Sequence, residues 1–339
     1  MSKVISNTLR YHYDEELFNN RWASEVDPTT LVLLESGAVV EDATIADMIS
    51  GGGNYYTIPF YKDLEGNEQN YDGATDIVST DTEDGVQSGF VYGSAKGFKD
   101  TVFVRDFTGA DPMGNIIARI NKYWNKKKQN RLLSVIQGVF NITGDSDWDK
   151  HTTNIATSGS TATDANRMGL TTLREASVKA LGEHADDLTI AIMHSNVALR
   201  LSNLQVLNFF EYQSGGMSYD VRVARSGNLL VLVWDGVPVS TSASATGENE
   251  YTTYILGNGA ILTADAPVEH PSDLVYDAKK NGGQEELITR MRKTYHPNGF
   301  TFSMANMPIS PSISDAQTGT NWTRQMKAEN IKMVRVITN

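Results

Sequence analysis

Apolar residues fall at helical spacing along one long stretch, residues 111–140, which reads DPMGNIIARINKYWNKKKQNRLLSVIQGVF. Met113, Ile116, Ile117, Ile120 and Trp124 form the first half of a stripe. Leu132, Leu133, Ile136, Val139 and Phe140 form the second, at intervals of three and four. Asp111 stands at the N-cap, and Pro112 in the first turn, where a missing N–H costs nothing. A continuous helix of about 28 residues would be roughly 42 Å long, against ~11–12 residues for an ordinary helix. Its other face carries Arg119, Lys122, Lys126, Lys127, Lys128 and Arg131 and no carboxylate. Two readings fit: a structural spine that faces something negative, or a core helix with a solvated basic face.

The rest of the chain is read against this helix. Leu17, Phe18 and Trp22 share a helical face that ends at Asp27-Pro28, Leu31 to Leu34 is a short apolar run, and Ile45, Met48 and Ile49 suit another helical turn. Residues 1–50 are thus an arm over another surface or an ordinary lead-in. After Gly51-Gly52-Gly53, YYTIPFY reads as a strand, as does 89–103. Between them lies a polar run with one base, Lys62, and the carboxylates Asp63, Glu65, Glu68, Asp72, Asp76, Asp81, Glu83 and Asp84. Residues 54–104 therefore predict two long strands with an acidic tip. An isolated two-stranded hairpin is marginal in water, so something else, such as a neighbouring subunit, should hold it.

Residues 141–166 read as loop, 171–181 as a helix closed by Gly182, 188–193 as a buried strand and 195–207 as a helix. Strand patterns follow over 209–239. Tyr251–Leu256 and Ala260–Thr263 flank a hairpin-type turn, Gly257-Asn258-Gly259. A helix is expected near 274–280, and strands near 301–304 and 331–337, with Trp322 anchoring a segment between them.

Composition narrows the classes. The chain has 339 residues, a net charge of −12 and no cysteine. That suits two or three lobes or one elaborate domain, argues against general nucleic-acid binding, and excludes disulfides and thiolate chemistry. No apolar run is long enough for a membrane span. The N-terminus has no signal-peptide core, so a cytosolic site of synthesis is expected.

No catalytic constellation emerges: there is no phosphate loop, no GxSxG and no HExxH. His12, His151, His184, His194, His270 and His296 are scattered, and the adjacent His194-Ser195 pair is unsuited to act as acid and base together. Asp145, Asp147 and Asp149 have the opening spacing of a calcium loop. However, Lys150 and Ala156 stand where glycine and glutamate are needed, and no metal site is expected. No catalytic residue and no cofactor are assigned. A carbohydrate-active enzyme or adhesin, which needs only two carboxylates in space, is the rival from another class.

Residues 108–140, with the Gly-Ala-Asp-Pro-Met start, the Tyr-Trp pair and the Leu-Leu-Ser-x-x-x-Gly-Val-Phe end, resemble the spine-helix motif of one branch of tailed-bacteriophage major capsid proteins. HPNGFTFS (296–303), NWTRQ (321–325) and IKMVRVITN (331–339) are similar to the closing strands of that group. The resemblance implies an α+β, Hong Kong 97-like fold. It comprises an N-terminal arm (1–50), an extended two-stranded loop (51–105), a peripheral domain (106–182) with spine helix 111–140, an axial domain (183–265), and a return through both (266–339).

The same resemblance implies a structural subunit of an icosahedral shell around double-stranded DNA, bound without sequence specificity, with an encapsulin-type cargo shell as the alternative. The chain's partners would be itself, in hexamers and pentamers, with scaffolding, portal and decoration proteins, and no membrane. Its location would be the virion, after assembly in the host cytoplasm. The acidic loop residues and Lys62 become candidates for inter-subunit contact, opposite the basic face of the spine helix, although both sets also suit plain solvated faces. Lys62, Lys96 and Lys99 lie where some members cross-link, but none matches a cross-linking motif, so no cross-link is expected. The first 50 residues lack a long helical scaffolding region, so a separate scaffolding protein is expected.

Overall fold

A computed structural model describes residues 28–339, except 65, 72, 74, 75, 80, 109–111, 159, 160, 170, 206, 215, 216, 227, 228 and 242–246. The expected face of Leu17, Phe18 and Trp22 and the Asp111 cap lie outside the described residues. The elements run α1 (Pro28–Glu35), β1 (Val39–Glu41), α2 (Ala43–Ser50), β2 (Tyr55–Tyr61), β3 (Asp84–Phe90), β4 (Tyr92–Thr101), α3 (Val102–Thr108) and α4 (Pro112–Phe140). There follow α5 (Ser146–Asp149), β5 (Thr152–Asn154), α6 (Thr172–Leu181), β6 (Leu188–Met193), α7 (Ser195–Asn203), β7 (Asn208–Ser214), β8 (Met217–Ser226), β9 (Leu229–Val233), β10 (Val239–Ser240) and β11 (Glu250–Gly257). The chain closes with β12 (Ile261–Ala266), β13 (Ser272–Asp277), β14 (Gln284–Pro297), β15 (Phe300–Phe302), α8 (Ile313–Gln317), β16 (Trp322–Arg324) and β17 (Met333–Thr338).

Two sheets organise these elements. In one, β14 is the long central strand: β4 pairs along one edge, β13 and then β12 along the other, and β1 adds in parallel to β12. The other has eight strands in the order β5-β17-β11-β6-β9-β8-β7, with β10 on β11. Its two faces differ. One packs under α6 and α7 through Leu173, Leu181, Val197 and Leu201. The opposite face, through Tyr254, Leu256 and Met333, joins the main core.

The long helix α4 runs 29 residues, as its stripe predicts. Its first half lies on the β14 sheet, where Met113, Ile120 and Trp124 meet Leu287. Trp124 Nε1 donates to Thr289 Oγ1 at 2.9 Å, which satisfies the one polar atom that a buried indole carries. Its second half, from Leu132 to Phe140, enters the main core among Phe300, Phe302, Trp322 and Tyr254. Helix and core are keyed together by Gly138, since a Cβ there would stand 1.9 Å from Ala316 O.

Three expectations change. The segment near 274–280 is a strand, β13, because it pairs antiparallel with β14 from Ser272↔Thr289 to Asp277↔Gln284. The turn at Gly257-Asn258-Gly259 makes no hairpin: β11 stays in the eight-stranded sheet while β12 crosses to β14 and β1. The Gly259 amide donates to Gly37 O at 2.8 Å, so the turn serves the crossing. Helix α7 ends at Asn203, short of Leu207, as the chain enters positive φ at Gln205.

Candidate assembly surfaces

Residues 54–104 form three strands, not two. β2 and β3 pair for seven residues, from Tyr55↔Phe90 to Tyr61↔Asp84, and β4 then turns onto β14 for ten. The root of the hairpin is locked into its own chain. Gln87 Oε1 accepts from the Gly299 amide at 2.8 Å and from His296 Nε2 at 3.1 Å. Tyr56 and Thr294 share a hydroxyl–hydroxyl bond of 2.8 Å, and Thr294 Oγ1 donates to Phe90 O at 2.7 Å. Burial holds the His296 ring neutral, with a pKa pushed down to about 4, and pushes the Tyr56 hydroxyl well up. A protonated ring in this closed site would leave a charge without compensation.

Beyond the root, the described residues between Lys62 and Glu83 are exposed. The Gln69 side chain closes the tip on Val78, donating to its carbonyl at 2.6 Å and accepting from its amide at 2.9 Å. Among the predicted contact residues, Lys62 pairs with Glu83 at 2.8 Å and holds that carboxyl below its usual range. Asp63 accepts from Asn330 Nδ2 at 2.9 Å. Glu68, Asp76, Asp81 and Asp84 are exposed, while Glu65 and Asp72 fall outside the described residues. The charge pattern hid a second set: Tyr61, Leu64, Tyr71, Ile77 and Val78 are at least 71% exposed on the same hairpin. Scattered through an acidic run, they carry no period, and exposure alone reveals them.

The basic face of α4 is narrower than its spacing suggests. Arg119, Lys122, Lys126 and Lys127 are exposed and Lys128 is half-buried. Arg131 is not on that face. It is 7% exposed, its guanidinium stacks 4.4 Å from the Tyr92 ring centroid, and Nη1 donates to Pro311 O at 3.0 Å. A long basic side chain can lay its stem and planar head on an aromatic wall, which helical spacing does not register.

The residues weighed for chemistry are in structural service. Asp145 caps α5 by accepting from Trp148 N, and takes Arg324 in a two-pronged bridge of 2.7 and 3.0 Å that holds its carboxyl below the usual range. Asp147 binds Lys150 at 2.9 Å. His151 is buried against Trp148, with Nδ1 2.7 Å from Met333 O. His194 caps α7 by accepting from Asn196 N at 3.1 Å, and its Nδ1 is 3.5 Å from Ser195 Oγ. Among the described residues, no group of three or more His, Asp or Glu side chains could hold a metal ion, and no helix is long and apolar enough to cross a membrane.

Known proteins share both sequence and fold with this chain. It is 26% identical over 287 residues to the major capsid protein of Bacillus phage SPP1, covering 84% of this chain and 83% of that one. The capsid of Ralstonia phage GP4 superposes with a TM-score of 0.58 at 11% identity, covering 90% and 87% of the two chains. The capsid of cyanophage Pam1 does so at 0.54 and 10% identity, over 85% of each. The fold is therefore that of the tailed-phage capsids, Hong Kong 97-like, as the resemblance of residues 108–140 implies. The sequence family described as Gp13-like, Major capsid protein 13-like, matches residues 140–334. That match spans more than half of the chain, from the end of the long helix into the last strand, and this chain belongs to the Gp13-like family of major capsid proteins.

Proposed function

We propose that copies of this chain assemble into hexamers and pentamers that close an icosahedral shell round double-stranded DNA, a structural and not a catalytic role. The observation that carries this is the hairpin: its root is bonded into its own subunit while its tip displays Leu64, Tyr71, Ile77 and Val78 to solvent. Apolar side chains on a projecting arm gain burial only against another molecule. In this reading the tip of the 51–105 loop lies across a neighbouring subunit while β4 stays in its own, and the β14 sheet with α4 forms the peripheral domain. The lobe at 183–265, less the strand β12 that crosses to β14, forms the axial domain, whose loops gather at the capsomer centre. Scaffolding, portal and decoration proteins are the further partners, and assembly takes place in the host cytoplasm.

Charge supports the same contact. The tip is acidic, and Arg119, Lys122, Lys126 and Lys127 of α4 face outward with positive charge. Each such pair is worth only about 0–1 kcal/mol, but the sum over a shell is large and salt-sensitive. Electron microscopy and size-exclusion chromatography of the purified chain, with and without a crowding agent and scaffolding protein, test the proposal. Shells or discrete hexamers and pentamers that form more slowly in high salt are expected. A chain that stays monomeric under every one of these conditions would overturn it.

A further inference from the structure

We propose that Asn281 is a site of spontaneous deamidation, the one Asn-Gly pair of this chain that the fold leaves free to react. The sequence holds three such pairs: Asn258-Gly259, Asn281-Gly282 and Asn298-Gly299. In the reaction the glycine amide nitrogen attacks the asparagine Cγ. The N–Cγ bond forms, the Cγ–Nδ2 bond breaks, and the amide proton leaves with Nδ2 as ammonia. The cyclic imide then takes up water at either carbonyl and opens to aspartate or to isoaspartate. One water enters, one ammonia leaves, and nothing is oxidised or reduced. The reaction needs an uncommitted glycine amide, a backbone free to rotate, and access to water.

The fold grants these conditions unequally. The Gly259 amide is committed to Gly37 O at 2.8 Å. The Gly299 amide is committed to the buried Gln87 Oε1, also at 2.8 Å, inside the hairpin root. The Gly282 amide donates to no described group. Asn281 is exposed and already at φ +50°, and it is followed by Gly282 at +75° and Gly283 at +100°, so the turn is built from residues that rotate at low cost. Among the described residues its carboxamide is tethered only by Nδ2, to Gln284 Oε1 at 3.2 Å.

The position gives the change a consequence. Gly283 O accepts from Val102 N at 2.8 Å, and Gly282 packs against Phe103, so this turn braces the joint where β4 passes into α3 and on towards α4. Isoaspartate would lengthen the main chain of the brace by one atom and add a carboxylate to the turn.

Peptide mapping by mass spectrometry of the full chain, aged at mildly alkaline pH, tests this. Conversion at Asn281 is expected to run about tenfold or more ahead of Asn258 and Asn298, since each of those must first break a hydrogen bond. In denaturant the three rates should converge. Conversion at Asn258 or Asn298 as fast as at Asn281 in the folded chain, or an Asn281 that stays intact, would overturn the proposal. So would a lead for Asn281 that persists in denaturant.

Discussion

Gly138 lies against the carbonyl of Ala316 so closely that no side chain fits between them: a Cβ there would stand 1.9 Å from the oxygen and 2.4 Å from Trp322 Nε1. That indole donates to the same oxygen at 2.8 Å. On an exposed helix, Gly→Ala gains about 1 kcal/mol of helix propensity. Here the sign reverses, because overpacking typically costs about 1–3 kcal/mol and the obstacle is backbone. Chemical denaturation of Gly138→Ala should show a net loss of stability, and an unchanged or raised midpoint would contradict the close approach.

The hairpin root should be acid-sensitive. His296 is buried and neutral, with a pKa of about 4 against 6.5 when unfolded. Between those values the unfolded chain binds more protons, so stability contributed above pH 6.5 is lost as pH falls towards 4. The loss is on the order of 3 kcal/mol. The groups that face the ring are Gln87 from β3, Tyr56 from β2 and, further off, Asp42 ahead of α2. Stability curves of the native chain and of His296→Gln from pH 7 to 4 check this. The variant should lose less over that range, and equal slopes would sink the idea.

The bridge between Asp145 and Arg324 ties α5 to β16. Asp145→Ala removes both a helix cap and a charged hydrogen-bond partner, and should cost about 2–4 kcal/mol. Asp145→Asn keeps the cap and should cost less. Arg324 lowers the Asp145 pKa, so this stability is present at neutral pH and disappears as pH falls through the folded value. Added calcium should leave the melting temperature of the native chain where it is, since Asp145 and Asp147 are already engaged.

Replacing Leu64, Tyr71 and Ile77 with serine should separate folding from assembly. All three are exposed, so subunit stability should stay within about 0.5 kcal/mol per site, while light scattering should show assembly abolished. Assembly at the native rate would remove the tip from the interface.

What the sequence made legible follows from periodicity. The stripe of α4 has ten apolar positions at regular spacing, and its extent came out within a residue of the start read from Asp111-Pro112. Strand β13 is not legible because the contiguous run Leu274-Val275-Tyr276 has no period of its own, and pairing with β14 decides between helix and strand. The crossing at Gly257–Ala260 was misread because a turn motif reports local geometry, not which sheet the next strand joins. Arg131 looked like surface because Tyr92 and Pro311, which bury it, are distant in sequence. The solvent-facing apolar set on the hairpin has no pattern at all, since side chains exposed in an irregular segment follow no period.

The core of α4 also sets a timetable. Leu133, Ile136 and Gly138 leave the ribosome well before Phe300, Ala316 and Trp322, the residues that cover them. At ~5–20 residues per second, the delay is roughly ten to forty seconds. Throughout it the apolar stripe of α4 lacks the late residues that complete its cover. Its stripe is then an apolar flank open to chaperones and to sister chains on the same polysome, so encounters between copies begin during translation, before any two finished subunits meet.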